Sequence, residues 1–258
     1  DLSMVAGVQA PDDETVVITL NKPFNALLYT LAVVGIVPEH AYDSMYGSNP
    51  IGSGRYMVEQ WDKGQQVILR ANPLYYGDAP TIERVVVAFM AEDASLAAAQ
   101  AGQVDVAYTS ATLASALPTG YELINCASVD SRGISLPCVP AGSAPIVEGD
   151  VTYEVGNNVT SDLAIRQAIN YGVDRDVLVE QVLNGYGTPA FSVSDGMPWA
   201  SPDMQVTTDV ARAQKLLDEA GWQVGADGIR EKDGQRASFV LWYMAGDSVR
   251  QGLAEAFA

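Results

Sequence analysis

Between Asn49 and Tyr108 the sequence runs turn, hairpin, loop, apolar strand, helix and strand, an order that fits helices layered on sheets. Gly52 and Gly54 allow a sharp turn before Tyr56. Two partly alternating runs, 57–61 and 65–69, flank Asp62-Lys63-Gly64 and predict a hairpin. Val85-Val86-Val87-Ala88-Phe89 is too continuously apolar for a strand with one wet face, which predicts a sheet covered on both sides. The Ala-rich run 94–101 favours helix, and Gly102 suits the residue that stops it. Val104-Asp105-Val106-Ala107-Tyr108 returns to strand.

This order resembles the substrate-binding proteins of the peptide/nickel class of ABC importers, the family 5 extracellular solute-binding proteins. The family's Pro-Ile-Gly-Thr-Gly-Pro-Tyr turn has its counterpart in Pro50 to Tyr56, its Asn-Pro-x-Tyr-Trp loop in Asn72 to Tyr76, and its Gly-Glu-Val-Asp in Gly102 to Asp105. Arg55 replaces a usual Pro and Tyr76 a usual Trp. The most specific motif comes later. Arg166-Gln167-Ala168-Ile169-Asn170-Tyr171-Gly172-Val173-Asp174-Arg175 resembles the family's Arg-Gln-Ala-x-Asn-Tyr-Ala-Ile-Asp-Arg, with a packing role expected for it.

The resemblance implies an α/β fold of the periplasmic-binding-protein-like type (class II, cluster C), with lobes of mixed sheets flanked by helices and incomplete at both ends. Residues 1–45 would end the small lobe, 46–137 form the main lobe, and 138–258 begin the second large lobe. The chain opens mid-pattern, with no basic segment or signal-peptide core ahead of its first strand. It is therefore expected to be the middle of a longer protein, about half of a family member, whose unpaired sheet edges favour association and weaken ligand binding.

Composition narrows the partners. Of 258 residues, 48% are hydrophobic and 18% charged, which excludes disorder. A net charge of −18 argues against nucleic acid and anionic membrane surfaces, both of which call for basic patches. The longest apolar run, 26–37, is too short to span a bilayer.

Along the chain, strands are expected over 4–8 and 15–20, then a short buried helix over 24–31 with Pro23 at its first position. A short helix is expected over 113–117 and strands over 121–126 and 238–243. Residues 140–158, rich in Gly, Pro, Ser and Asn, read as a linker. Thr160 or Ser161 is expected to cap a helix in which Asp162 and Arg166 pair, and a second helix runs over 177–183. Thr207 or Thr208 would cap another over 209–220 that turns Ala211, Leu216 and Leu217 inward and stops at Gly221. A two-strand connector over 225–234 and a last helix from Asp247 complete the reading. Trp199 is expected as an aromatic beneath its loop.

His40 is the only histidine and sits in a Pro-Glu-His helix start without a second imidazole or a carboxylate pair. Ser/His/Asp catalysis and the spacings of metal sites are thus missing. Cys126 and Cys138 would face each other across a hairpin near Arg132, whereas one extended run separates them, and two free, buried thiols are expected.

By the resemblance, ligand contacts fall just after the Val-Asp strand and where the chain crosses between lobes. That nominates Tyr108, Thr109, Asp130, Ser131 and Arg132, with no catalytic and no metal-ligating residue and no cofactor. Arg132 has two readings, a bidentate partner for a ligand carboxylate or a surface ion pair. The implied function is capture of an oligopeptide-like solute outside the cell membrane and delivery to ABC permease subunits, without chemistry. A nickel or metal-chelate ligand is the alternative, disfavoured because no Arg precedes Val37-Pro38-Glu39-His40 where nickel-binding members place one. From other classes, a hydrolase would need a nucleophile–base pair, and a sensor domain would bind ligand and contact a receptor. Localisation follows the family: periplasm or cell-surface lipoprotein.

Overall fold

The computed structural model describes residues 2–258, which divide into two compact units, one running to Met90 and one from Ala91. The first holds an antiparallel pair, β1 (Val5–Gln9) and β2 (Val17–Leu20), with an irregularity between Val5 and Gly7. Helix α1 (Leu27–Ala32) follows. It starts four residues after Pro23 and buries none of its residues, so it is neither proline-started nor a core helix. Leu28 and Tyr29 are exposed because nothing among the described residues covers them.

The predicted hairpin forms as β3 (Tyr56–Asp62) and β4 (Gln66–Ala71), and β5 (Arg84–Ala88) pairs antiparallel with β4. Gly64 takes φ 79° in the connecting turn, a conformation that glycine adopts without a Cβ penalty. β5 is the outer strand of three and leaves Val86 and Val87 exposed. Its unbroken apolar run therefore does not reflect cover on both faces within these residues.

The Asn-Pro loop acts as a clasp. Buried Asn72 donates from Nδ2 to the Gly54 carbonyl at 2.9 Å and accepts at Oδ1 from the Leu74 N–H at 3.0 Å. Arg55 covers the Tyr75 ring at 5.1 Å and donates to the Asp78 carbonyl. A Cβ on Gly77 would lie 2.8 Å from the Tyr75 ring. The turn and the loop are thus one packed corner, and Arg55 supplies by stacking what a proline would supply by stiffness.

The second unit opens with α2 (Glu92–Gln100), closed at Gly102 with φ 67°. A 3-10 helix spans Ala111–Ala116, where a helix over 113–117 is expected. Residues 121–126 form no ladder, because an extended run needs a partner to become a strand and none is present among the described residues. The 140–158 linker contains a short exposed hairpin, β6 (Ile146–Glu148) with β7 (Val151–Tyr153).

Helices α3 (Leu163–Gly172), α4 (Arg175–Val182) and α5 (Val210–Glu219) follow, and α3 and α5 border a buried cluster to which α4 adds nothing. Their caps are Asp162, Asp174 and Asp209, whose carboxylates accept from Ala164, Val177 and Arg212 N–H groups. The hydroxyl residues Thr160, Ser161, Thr207 and Thr208 are passed over. An ionised carboxylate is the stronger acceptor and also faces the positive end of the helix dipole. Thr160, fully buried, donates to the Pro137 carbonyl instead.

The core consists of Val159, Ile165 and Trp222, with Ile169, Leu217, Ala220, Ala237 and Phe239 packed on it. On α5 it is Ala213, not Ala211, that is buried. Strands β8 (Gln223–Val224), β9 (Arg230–Lys232) and β10 (Gln235–Arg236) form a small antiparallel sheet beside the cluster. Residues 238–243 join no strand ladder. Phe239 packs inward while Val240 and Trp242 are exposed, the alternation of a strand with one covered face. Helix α6 (Ser248–Phe257) ends the chain.

Candidate functional site

Two nominated segments converge on the N-terminus of α6. Asp247 caps that helix through the Arg250 N–H at 2.8 Å and also receives the Arg250 guanidinium. Arg132 reaches the same carboxylate at 3.3 Å with one guanidinium nitrogen and Asp130 at 2.9 Å with another. The next residue, Ser248, lies within hydrogen-bond reach of Ser110 at 2.9 Å and Thr112 at 2.7 Å and donates to Glu92 at 2.7 Å. The segment after Tyr108 and the segment around Arg132 therefore share one anchor, Asp247-Ser248.

Each nominated residue has a distinct setting. Tyr108 is 75% exposed. The Thr109 hydroxyl is enclosed and has no hydrogen-bond partner, a polar group whose satisfaction is left open. Ser131 is exposed. The Asp130 side chain is 59% exposed, that of Arg132 34%, and that of Asp247 only 17%. Of the two readings of Arg132, the ion-pair state is the one occupied, with Asp130 and Asp247 as its partners.

The Arg250 N–H bond does most to hold the Asp247 carboxyl below the usual carboxylate range; burial opposes it, and the charges of Arg250 and Arg132 add to it. The site thus contains a guanidinium clamped by two carboxylates beside a row of hydroxyls. Such an arrangement binds and orients charged groups. The second unit itself contains no histidine; His40 belongs to the 3-10 turn Glu39–Ala41 of the first unit.

Sequence reasoning missed Glu92, Asp247 and Ser248. The signal for Asp247 was its place ahead of a helical run, which marks a cap; nothing in the pattern told that Arg132 would meet it.

Other expectations are corrected. Cys126 and Cys138 are free but exposed. Trp199 is 71% exposed and does not sit beneath its loop. Asp162 does not pair with Arg166: it accepts from Lys232 at 2.8 Å and from the Trp222 indole at 3.0 Å, while Arg166 donates to the Thr160 and Ser161 carbonyls.

Two grooves occur elsewhere in the second unit. One of about 600 Å³ is lined by Tyr171, residues 205–210 and Arg212, and one of about 310 Å³ lies beside Asp162, Trp222 and Lys232. None of the nominated residues lines either. Among the described residues no group of three or more His, Cys, Asp or Glu gathers to hold a metal ion, and no helix is long and apolar enough to cross a membrane.

The whole described chain, residues 2–258, matches the family described as bacterial extracellular solute-binding proteins, family 5 Middle. The chain belongs to this family. Among its relatives, Protein XP55 of Streptomyces lividans is 36% identical over 270 residues, covering 100% of this chain and 46% of that protein. Oligopeptide-binding protein AppA of Bacillus subtilis is 29% identical over 211 residues, covering 80% and 36%. The crystal structure of NikZ from Campylobacter jejuni in complex with Ni(L-His) is similar at TM-score 0.76 and 28% identity, covering 98% of this chain and 50% of that one. The chain therefore spans half or less of the length of these family 5 proteins, and it shares their α/β periplasmic-binding-protein fold.

Proposed function

We propose that the longer protein containing this chain is the substrate-binding component of an ABC importer, taking up an oligopeptide-like solute and handing it to permease subunits outside the cytoplasm. The family match over residues 2–258 carries this reading. The lobes, for which the boundaries 1–45, 46–137 and 138–258 are proposed, would close around the ligand as a population shift toward a sealed state. No bond is made or broken. Ser248 donates to the Glu92 carboxylate and stands beside the Ser110 and Thr112 hydroxyls, a row of polar groups suited to hydrogen-bonding a ligand. Tyr108, Thr109, Asp130, Ser131 and Arg132 are the proposed ligand contacts, and lipid anchoring at the cell surface or residence in the periplasm is the proposed location.

Peptide is favoured over metal chelate by the AppA relative and by the lack of an Arg before Val37. The likeness to NikZ supports the second reading, nickel bound as a chelate. Calorimetry on the full-length protein with a peptide library, and separately with nickel plus histidine, tests both. Heats of binding are expected from peptides; tight binding of nickel–histidine alone would reverse the preference.

A further inference from the structure

We propose that Asp130 is an internal stand-in for the ligand's carboxylate, holding Arg132 until the ligand exchanges for it. The inference rests on Arg132 being a ligand contact and adds how that contact is kept ready.

The two carboxylates on Arg132 differ in how firmly they are held. Asp247 is 17% exposed, caps α6 through the Arg250 N–H, pairs with the Arg250 guanidinium and sits at the positive end of a ten-residue helix. Removing it would leave α6 uncapped. Asp130 is 59% exposed, and its carboxylate has Arg132 as its one ion-pair partner among the described residues. It lies two residues away on a segment that no strand ladder fixes.

An exposed carboxylate bound by one cation is released at little cost. Exchange of one carboxylate for another beside a guanidinium keeps the charge balance. Asp247 then acts as the positioning residue that keeps the guanidinium in place during the exchange. In the empty state Asp130 occupies the guanidinium nitrogen that Asp247 does not reach. It also sets a threshold, because any anion that binds Arg132 must out-compete it.

The test uses the full-length protein and an equimolar set of alanine tri- and tetrapeptides, as free acids and as C-terminal amides. Asp130→Asn is expected to shift the preference for acids over amides about three- to fivefold toward the acids, the size of a half-exposed ion pair. Glu122→Gln removes an equal charge from the exposed surface and is expected to change neither. Arg132→Gln is expected to weaken the acids alone. Thermal melts check that each variant is folded.

Tighter acid binding in Glu122→Gln as well would make the gain a bulk-charge effect and overturn the proposal. Acid binding weakened by Arg132→Gln but not tightened by Asp130→Asn would overturn it while leaving Arg132 as a ligand contact. No effect of Arg132→Gln on peptides that do bind would remove both. If the unaltered protein binds neither form, the peptide reading fails and the proposal with it.

Discussion

Asp162 shows how much a single carboxylate holds together. It caps α3, accepts from the buried Trp222 indole and pairs with Lys232, so it joins helix, core and small sheet. Burial works to raise its pKa, but the bonds from Lys232, the Ala164 N–H and Trp222 outweigh this and leave it below the ordinary 3.8. A carboxyl whose folded pKa is depressed contributes stability above its unfolded pKa and loses it as pH falls through the folded value. That contribution is therefore full above about pH 4 and fades below it. Asp162→Ala is expected to cost about 2 kcal/mol in urea unfolding at neutral pH. The difference from the unaltered protein should shrink as the solution is taken below pH 4. A pH-independent difference would mean that the charge is not what the residue contributes.

At the scale of the element, helix stops were more legible than helix starts. Gly102 and Gly221 end α2 and α5 as expected, with φ of 67° and 87°. Starts went to aspartates over nearby hydroxyls, a competition that depends on which side chain the folded backbone turns toward its free N–H groups. Two glycines at helix ends should respond with opposite sign. Gly221→Ala forces a side chain into the left-handed region with no contact to relieve it, and is expected to cost about 1–2 kcal/mol. Gly172→Ala, the last residue of α3, would place its Cβ 3.9 Å from that of Ala213, ordinary packing, and is expected to stabilise by about 0.5 kcal/mol. Thermal melts of both variants check the pair.

At the scale of the whole chain, apolar side chains lie open in quantity. Ile36 is 95% exposed, Trp242 and Val106 each 87%, Val33 85% and Ile124 77%. Isolated apolar residues on a surface are ordinary, but Val106, Ile124 and Trp242 lie on segments that belong to no strand ladder and leave large apolar side chains uncovered. The chain by itself is expected to self-associate at micromolar concentration and to bind ligand weakly. Sedimentation across a concentration series checks the first, and a monomer with nanomolar peptide affinity would contradict both.

Much of the order of elements was written in the sequence, since hydrophobic period and Gly stops are local properties that neighbouring residues settle among themselves; the strands expected over 104–108, 121–126 and 238–243 are not formed, because a ladder needs a partner that local pattern does not supply. The family followed from the same local signals, because its motifs are turns and helix junctions. Tertiary structure alone decided that Asp162 meets Lys232 seventy residues away, and that Arg132 meets Asp247 across more than a hundred. Side-chain partners at such separations are chosen by how the chain returns on itself. The pattern along the chain records which residues are apolar and where it turns, and carries no term for which distant charge will be waiting there.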